Sequence, residues 1–108
     1  MKVVKFRSYL VPLILAGEKT NTWRLFDDKD LSVGDTIGLR EFGAEKSFAT
    51  AVITSVAQKA LGDMTEQELD DNKSHYSLSE MYSVFSEWYH QPVDATTLVK
   101  IVSFKLER

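Results

Sequence analysis

The stretch Gly17-Glu18-Lys19-Thr20-Asn21-Thr22-Trp23-Arg24 decides how this chain is read. It joins a short apolar run, Leu10 to Ala16, to residues that read as a strand. Gly17 stops the preceding helix, because glycine accepts positive φ without steric cost. From Thr20 onward an extended backbone alternates its side chains between two faces. Thr20, Thr22 and Arg24 then share one face, while Asn21, Trp23 and Leu25 share the other, where Trp23 and Leu25 suit a core. Two hydroxyls and a guanidinium on one face, with Lys19 at its entry, suit an anionic or strongly polar ligand. The bland alternative is an exposed polar strand face, since threonine is a good strand residue and Lys and Arg are usually solvated.

Working outward, Val3-Val4-Lys5-Phe6 is β-prone, and Ser8 can cap a helix carrying Leu10, Leu13 and Ile14, with Pro12 tolerated in the first turn. Asp27-Asp28-Lys29-Asp30 is a polar break. Val33-Gly34-Asp35 turns into a strand over 36–42, and 43–46 forms a hairpin loop. The return strand runs over 48–56 and is rich in β-branched residues. Thr65 with Glu68, and Ser77 with Glu80, are capping boxes, and Met64 can staple the first to Leu69. They predict helices at about 65–72 and 77–89, the second with Leu78, Met81, Tyr82, Phe85, Trp88 and Tyr89 at helical spacing. A closing strand covers 96–106, with Leu98, Val102, Phe104 and Leu106 on its inner face and Val99 and Ile101 partly buried on the other. Five or so strands in 108 residues commonly curl into a small barrel, so the fold class expected is α+β, one domain over 1–108.

Composition narrows the function classes. There is no cysteine, which removes disulfides, thiolate metal sites and a cysteine nucleophile. The charged N-terminus is unlike a signal peptide and the longest apolar run is too short to span a bilayer, so a cytoplasmic protein without a membrane partner is expected, and a monomer. The net charge of −3 disfavours a non-specific nucleic-acid coat. Its distribution matters more. Residues 61–90 hold one Lys against seven acids, whereas residues 1–60 hold nine Lys/Arg against seven acids. A locally basic site is therefore compatible with an acidic chain. His75 and His90 lie fifteen apart with no zinc-type spacing, and no phosphate-binding glycine loop occurs, so neither a metal nor a cofactor is expected. The aromatic stripe of the second helix suits core packing more simply than base stacking, and Tyr76 and Trp23 are the better stacking candidates. The acids Glu66, Glu68, Asp70 and Asp71 read first as a solvated helix face.

Two chemistries fit the opening stretch. In a binding site, Lys19 and Arg24 meet phosphate or a base edge while Thr20 and Thr22 fix register. In a hydrolytic site, a desolvated Lys19 takes the proton of the Thr22 hydroxyl, which attacks an acyl carbon. At these residues the chain resembles the ASCH domain family of PUA-like small β-barrels. Its L-x-x-G-x-K-T-x-T-x-R pattern is similar to Leu13 through Arg24 with one residue of slack before Gly17, followed by Val33-Gly34-Asp35, an acidic helical insert, and a final Phe104-Lys105-Leu106. The resemblance implies a PUA-like β-barrel with an N-terminal helix and a two-helix insert before the last strand. It also implies a cleft at the Lys and Arg positions, and recognition of RNA or a modified nucleoside, with Lys19, Thr20, Thr22, Arg24 and Tyr76 as ligand-binding residues. One branch of the family deacetylates N4-acetylcytidine. Carried over, its base and nucleophile fall on Lys19 and Thr22, while its glutamate falls near Lys73-Ser74, where no acid stands; Asp70 and Asp71 are one helical turn away. RNA cleavage is a third reading, without an obvious histidine pair to perform it.

Overall fold

A computed structural model of the protein describes residues 1–26 and 29–107. The expected polar break falls in part on Asp27 and Asp28, outside the described residues. The element order is β1 (Lys2–Phe6), a 3-10 turn at Ser8–Leu10, α1 (Val11–Leu15), β2 (Asn21–Leu25), β3 (Thr36–Glu41), β4 (Ala49–Ala60), a 3-10 turn at Leu61–Asp63, α2 (Glu66–Asn72), α3 (Leu78–Tyr89) and β5 (Leu98–Leu106). The five strands form one mixed sheet in the order β1-β3-β4-β5-β2. β1 runs parallel to β3, and the other neighbours are antiparallel. Together with the three helices this is an α+β fold.

Each face of the sheet carries its own core. Val4, Phe6, Ile14, Leu31, Ile37, Leu39, Ala51, Ile53, Val102 and Phe104 fill one. Trp23, Leu25, Leu61, Met64, Met81, Phe85, Val93 and Val99 fill the other, beneath α3. β5 supplies both, because its successive side chains alternate between faces that are each covered. Val99 is therefore fully buried rather than partly so, while Leu98, expected inside, is exposed at the strand's start.

The helix boundaries follow local chemistry. Both capping boxes form: Thr65 accepts from the Glu68 N–H and Ser77 from the Glu80 N–H, with each glutamate reaching back to the cap. Ser8 does not cap a helix. The chain enters through a 3-10 turn, and α1 starts after Leu10 with Pro12 in its first turn, where the missing N–H costs nothing. The Ser32–Asp35 turn is closed by Asp35 N–H donating to Ser32 O at 3.1 Å and Ser32 N–H donating to Asp35 Oδ2 at 3.0 Å, and Gly34 N–H ties it to β4 by donating to Ile53 O at 2.9 Å.

Two strands have a single neighbour each: β1 pairs only with β3, and β2 only with β5. Among the described residues no ladder joins β1 to β2. Residues of both edges line one common cleft, which brings the opening stretch of the sequence to a gap in the sheet.

Candidate functional site

The site begins at the end of α1. Gly17, at φ +79°, closes the helix: its N–H donates to Ile14 O at 3.1 Å and the Glu18 N–H to Leu13 O at 2.9 Å. This paired arrangement is a Schellman motif, which needs a left-handed residue that glycine supplies without strain. Lys19 N–H donates to the same Leu13 carbonyl at 3.1 Å. The turn thus fixes the direction in which Lys19 leaves the backbone.

Lys19 is only 2 % exposed, an unusual state for an ammonium. Its Nζ donates to the main-chain carbonyl of Asn72 at 2.7 Å and to Asn72 Oδ1 at 3.3 Å. Asn72 is the last residue of α2, whose final carbonyls have no partner within the helix. Burial, the larger cause, and the positive charge of Lys73 together lower the Lys19 pKa to about 8. Burial disfavours the charged form of an amine, and a like charge adds to that. Roughly a tenth of the amine is then neutral at pH 7.

Thr22 is 8 % exposed and lines the same cleft as Lys19 and Arg24. The space measures about 110 Å³, small against the roughly 300–1,000 Å³ of sites for drug-sized ligands. It is lined by four cationic residues, Lys5, Arg7, Lys19 and Arg24, and none of its described lining residues is acidic. Aromatic walls come from Phe6, Tyr9 and Phe42, from Trp23 on β2, and from Phe85, Trp88 and Tyr89 on α3. Arg24 Nε is buried without a hydrogen-bond partner. A buried donor left unmade is costly, which suits a position that a ligand completes.

The structure does not bring all the expected residues together. Thr20 is exposed and does not line the cleft, because β2 begins only at Asn21 and the period-two alternation does not reach back to it. Its carbonyl instead accepts from Phe104 N–H at 3.0 Å. Tyr76 sits in an adjoining hollow. Asp70 is exposed and lies 3.8 Å from Lys73 Nζ, and Asp71 accepts from Gln67 Nε2 at 2.8 Å; neither lines the cleft. The nearest polar partner of Lys19 is the amide residue Asn72. Neither histidine lines the cleft: His75 stacks on Tyr9 and His90 caps α3 in a left-handed conformation. No group of three potential metal ligands gathers among the described residues. Sequence reasoning missed Lys5, Arg7, Tyr9 and Asn72. Lys5 and Arg7 sit in the N-terminal run where charges interleave with apolar residues, a pattern that signals an edge strand but not what it faces, and Tyr9 lies in the 3-10 turn that follows.

Comparison with known proteins bears on the fold. No family model matches the chain, and no curated protein matches it either. Solved structures do. Protein EF3133 of Enterococcus faecalis V583, of the DUF984 family, superposes with a TM-score of 0.80 at 18 % identity, over 99 % of this chain and 76 % of that one. The ASCH domain of Lactobacillus crispatus JV V101 superposes at 0.71 with 16 % identity, over 97 % and 79 %. The ASCH protein of Zymomonas mobilis superposes at 0.66 with 10 % identity, over 95 % and 65 %. The fold is ASCH-like. No described helix is long and apolar enough to cross a membrane.

Proposed function

We propose that the cleft between β2, the end of β1 and α3 binds one base of RNA or a modified nucleoside. The observation that carries this reading is the lining itself: four cations, no described acid, and aromatic side chains around a space of about 110 Å³. Aromatic faces stack on any base, and Arg and Lys meet phosphate or the acceptor edges of a base. The test is calorimetric titration with cytidine, cytidine monophosphate and N4-acetylcytidine. Binding that Lys19→Ala and Arg24→Ala each weaken supports the reading. Binding that neither variant changes places the ligand elsewhere.

One observation favours a second reading, an amidohydrolase acting on an N-acylated cytosine nucleoside. A buried lysine with a pKa near 8, lining the same cleft as a buried threonine, is suited to act as a base. Neutral Lys19 would accept the Thr22 hydroxyl proton as Thr22 Oγ bonds to the acyl carbon. The carbon–nitrogen bond then breaks, and the proton passes from Lys19 to the departing amine. Water releases the acyl group from Thr22. In this scheme Lys19 is both base and acid, because no described acid lines the cleft. Conversion of N4-acetylcytidine to cytidine, lost in Lys19→Ala and Thr22→Ala, would establish the enzyme. Binding without conversion would leave the binding module.

A further inference from the structure

Beside the cleft lies a second hollow of about 190 Å³, lined by Arg7, Tyr9, Tyr76 and Trp88. Three of its walls are aromatic, the fourth is cationic, and none is acidic. Arg7, Tyr9 and Trp88 also line the cleft, so the two spaces share a wall, and Tyr76 belongs to the hollow alone. The rings are held in place. Tyr9 stacks on His75 at 3.9 Å with 18° between planes, which covers one of its faces. Tyr76 meets Trp88 edge-on at 5.8 Å and 76°. The Arg7 guanidinium lies 4.4 Å from the Trp88 ring and 4.7 Å from the Phe42 ring, bridging two walls of the cleft mouth. Phe42 and Trp88 are 50 % and 40 % exposed, a large apolar area to leave in water next to a cationic cleft.

Two aromatic hollows that share a cationic wall have the repeat of a single strand: base, phosphate, base. We infer that the Arg7–Tyr9–Tyr76–Trp88 hollow is a second base subsite, so that the ligand is a segment of single-stranded RNA of at least two nucleotides. The neighbouring base stacks in the hollow on the Tyr76 ring, which stands nearly perpendicular to Trp88. Arg7, on the shared wall, meets the phosphate that joins it to the base in the cleft. The inference rests on the base-binding reading of the cleft and deepens it from a nucleoside to a strand.

The test compares cytidine, the dinucleotides ApC and CpA, and the same dinucleotides with the adenine removed to leave an abasic ribose. At least one dinucleotide is expected to bind roughly 5- to 150-fold more tightly than its abasic form, the range for stacking one base. Tyr76→Leu should remove that gain and leave cytidine binding unchanged, whereas Tyr76→Phe, which keeps the ring, should retain it. Equal affinity of both dinucleotides and their abasic forms overturns the subsite, as does a Tyr76→Leu variant that weakens cytidine and dinucleotide alike. If neither cytidine nor any dinucleotide binds, the base-binding reading of the cleft falls, and the subsite with it.

Discussion

Lys19 concentrates the physical interest of this protein. Its ordinary pKa of 10.5 falls to about 8 in the fold, so folding disfavours its proton. The unfolded chain therefore binds more protons between pH 8 and 10.5. The resulting destabilisation, about 3 kcal/mol, is present in full below pH 8 and is relieved as pH rises toward 10.5. Lys19→Met should accordingly stabilise the protein at pH 7. The gain is offset by about 1–3 kcal/mol for the Asn72 carbonyl left without its donor. Thermal unfolding should show the variant slightly more stable at pH 7 and less stable than the parent above pH 10. A stability difference independent of pH would contradict the shifted lysine. The same titration separates the two functions. Affinity for an anionic ligand should fall as pH rises through about 8, because the ammonium is lost, whereas a hydrolytic rate should rise through it, because the free amine is the base. Asn72→Asp, which sets a carboxylate beside Nζ, should move either inflection upward, since an opposite charge favours the ammonium. An unmoved inflection would mean that another group titrates.

At the level of elements, the turn after α1 aims the lysine. Helix α1 has five residues, too few to persist on propensity alone, and it is held by Ile14 in the core and by the Schellman closure at Gly17. A Cβ at Gly17 meets nothing within 4 Å, so the cost of Gly17→Ala is conformational rather than steric. A left-handed alanine costs about 1–2 kcal/mol. Denaturant melts should show a loss of that order. Ligand affinity should fall further than stability, because the Lys19 backbone is tied to the same Leu13 carbonyl as Glu18. The opposite case is Gly62, at the 3-10 turn before α2. Its φ is ordinary, but a Cβ there would come within 2.6 Å of Ala95 Cβ and 3.0 Å of Ala95 O, so space rather than dihedral requires glycine. That contact docks the loop before β5 under the entry to α2, with Leu61 N–H donating to Thr97 O at 2.8 Å and Gly62 N–H to Ala95 O at 2.9 Å.

At the scale of the molecule, the acidic residues of 61–90 and the cationic cleft belong to one small body whose formal charge is −3. The cations gather where the sheet leaves β1 and β2 unpaired with each other. On the proposed reading, the acidic helices would repel a long polyanion and the cleft would take a short segment. The expected salt dependence of RNA binding is therefore shallow. For single strands the logarithmic slope is about −0.7 per phosphate neutralised, so a footprint of one or two phosphates gives a slope near −1, measured by titration at graded salt. A slope several times steeper would mean an extended track over other parts of the surface.

The sequence by itself determined the elements that rest on local chemistry. The two capping boxes, the Gly17 stop, the Val33-Gly34-Asp35 turn and the β3–β4 hairpin all depend on residues within a few positions of one another, and they were legible at that range. So was the place of Thr22 and Arg24 two apart on one strand, with Lys19 just before it, and all three line one cleft. Thr20 was misplaced because a strand's first residue is set by its partner's register, here Ser103 opposite Asn21. Tertiary structure alone decided the parallel pairing of β1 with β3, and with it the delivery of Lys5, Arg7 and Tyr9 to the cleft. It also set Asn72, rather than an acid, against the ammonium. These are contacts across 53 residues for Lys19–Asn72, and no local preference encodes them. They form because the amphipathic α3 and the two-faced β5 must bury their apolar sides together, and the cleft is what that burial leaves between the sheet's two free edges.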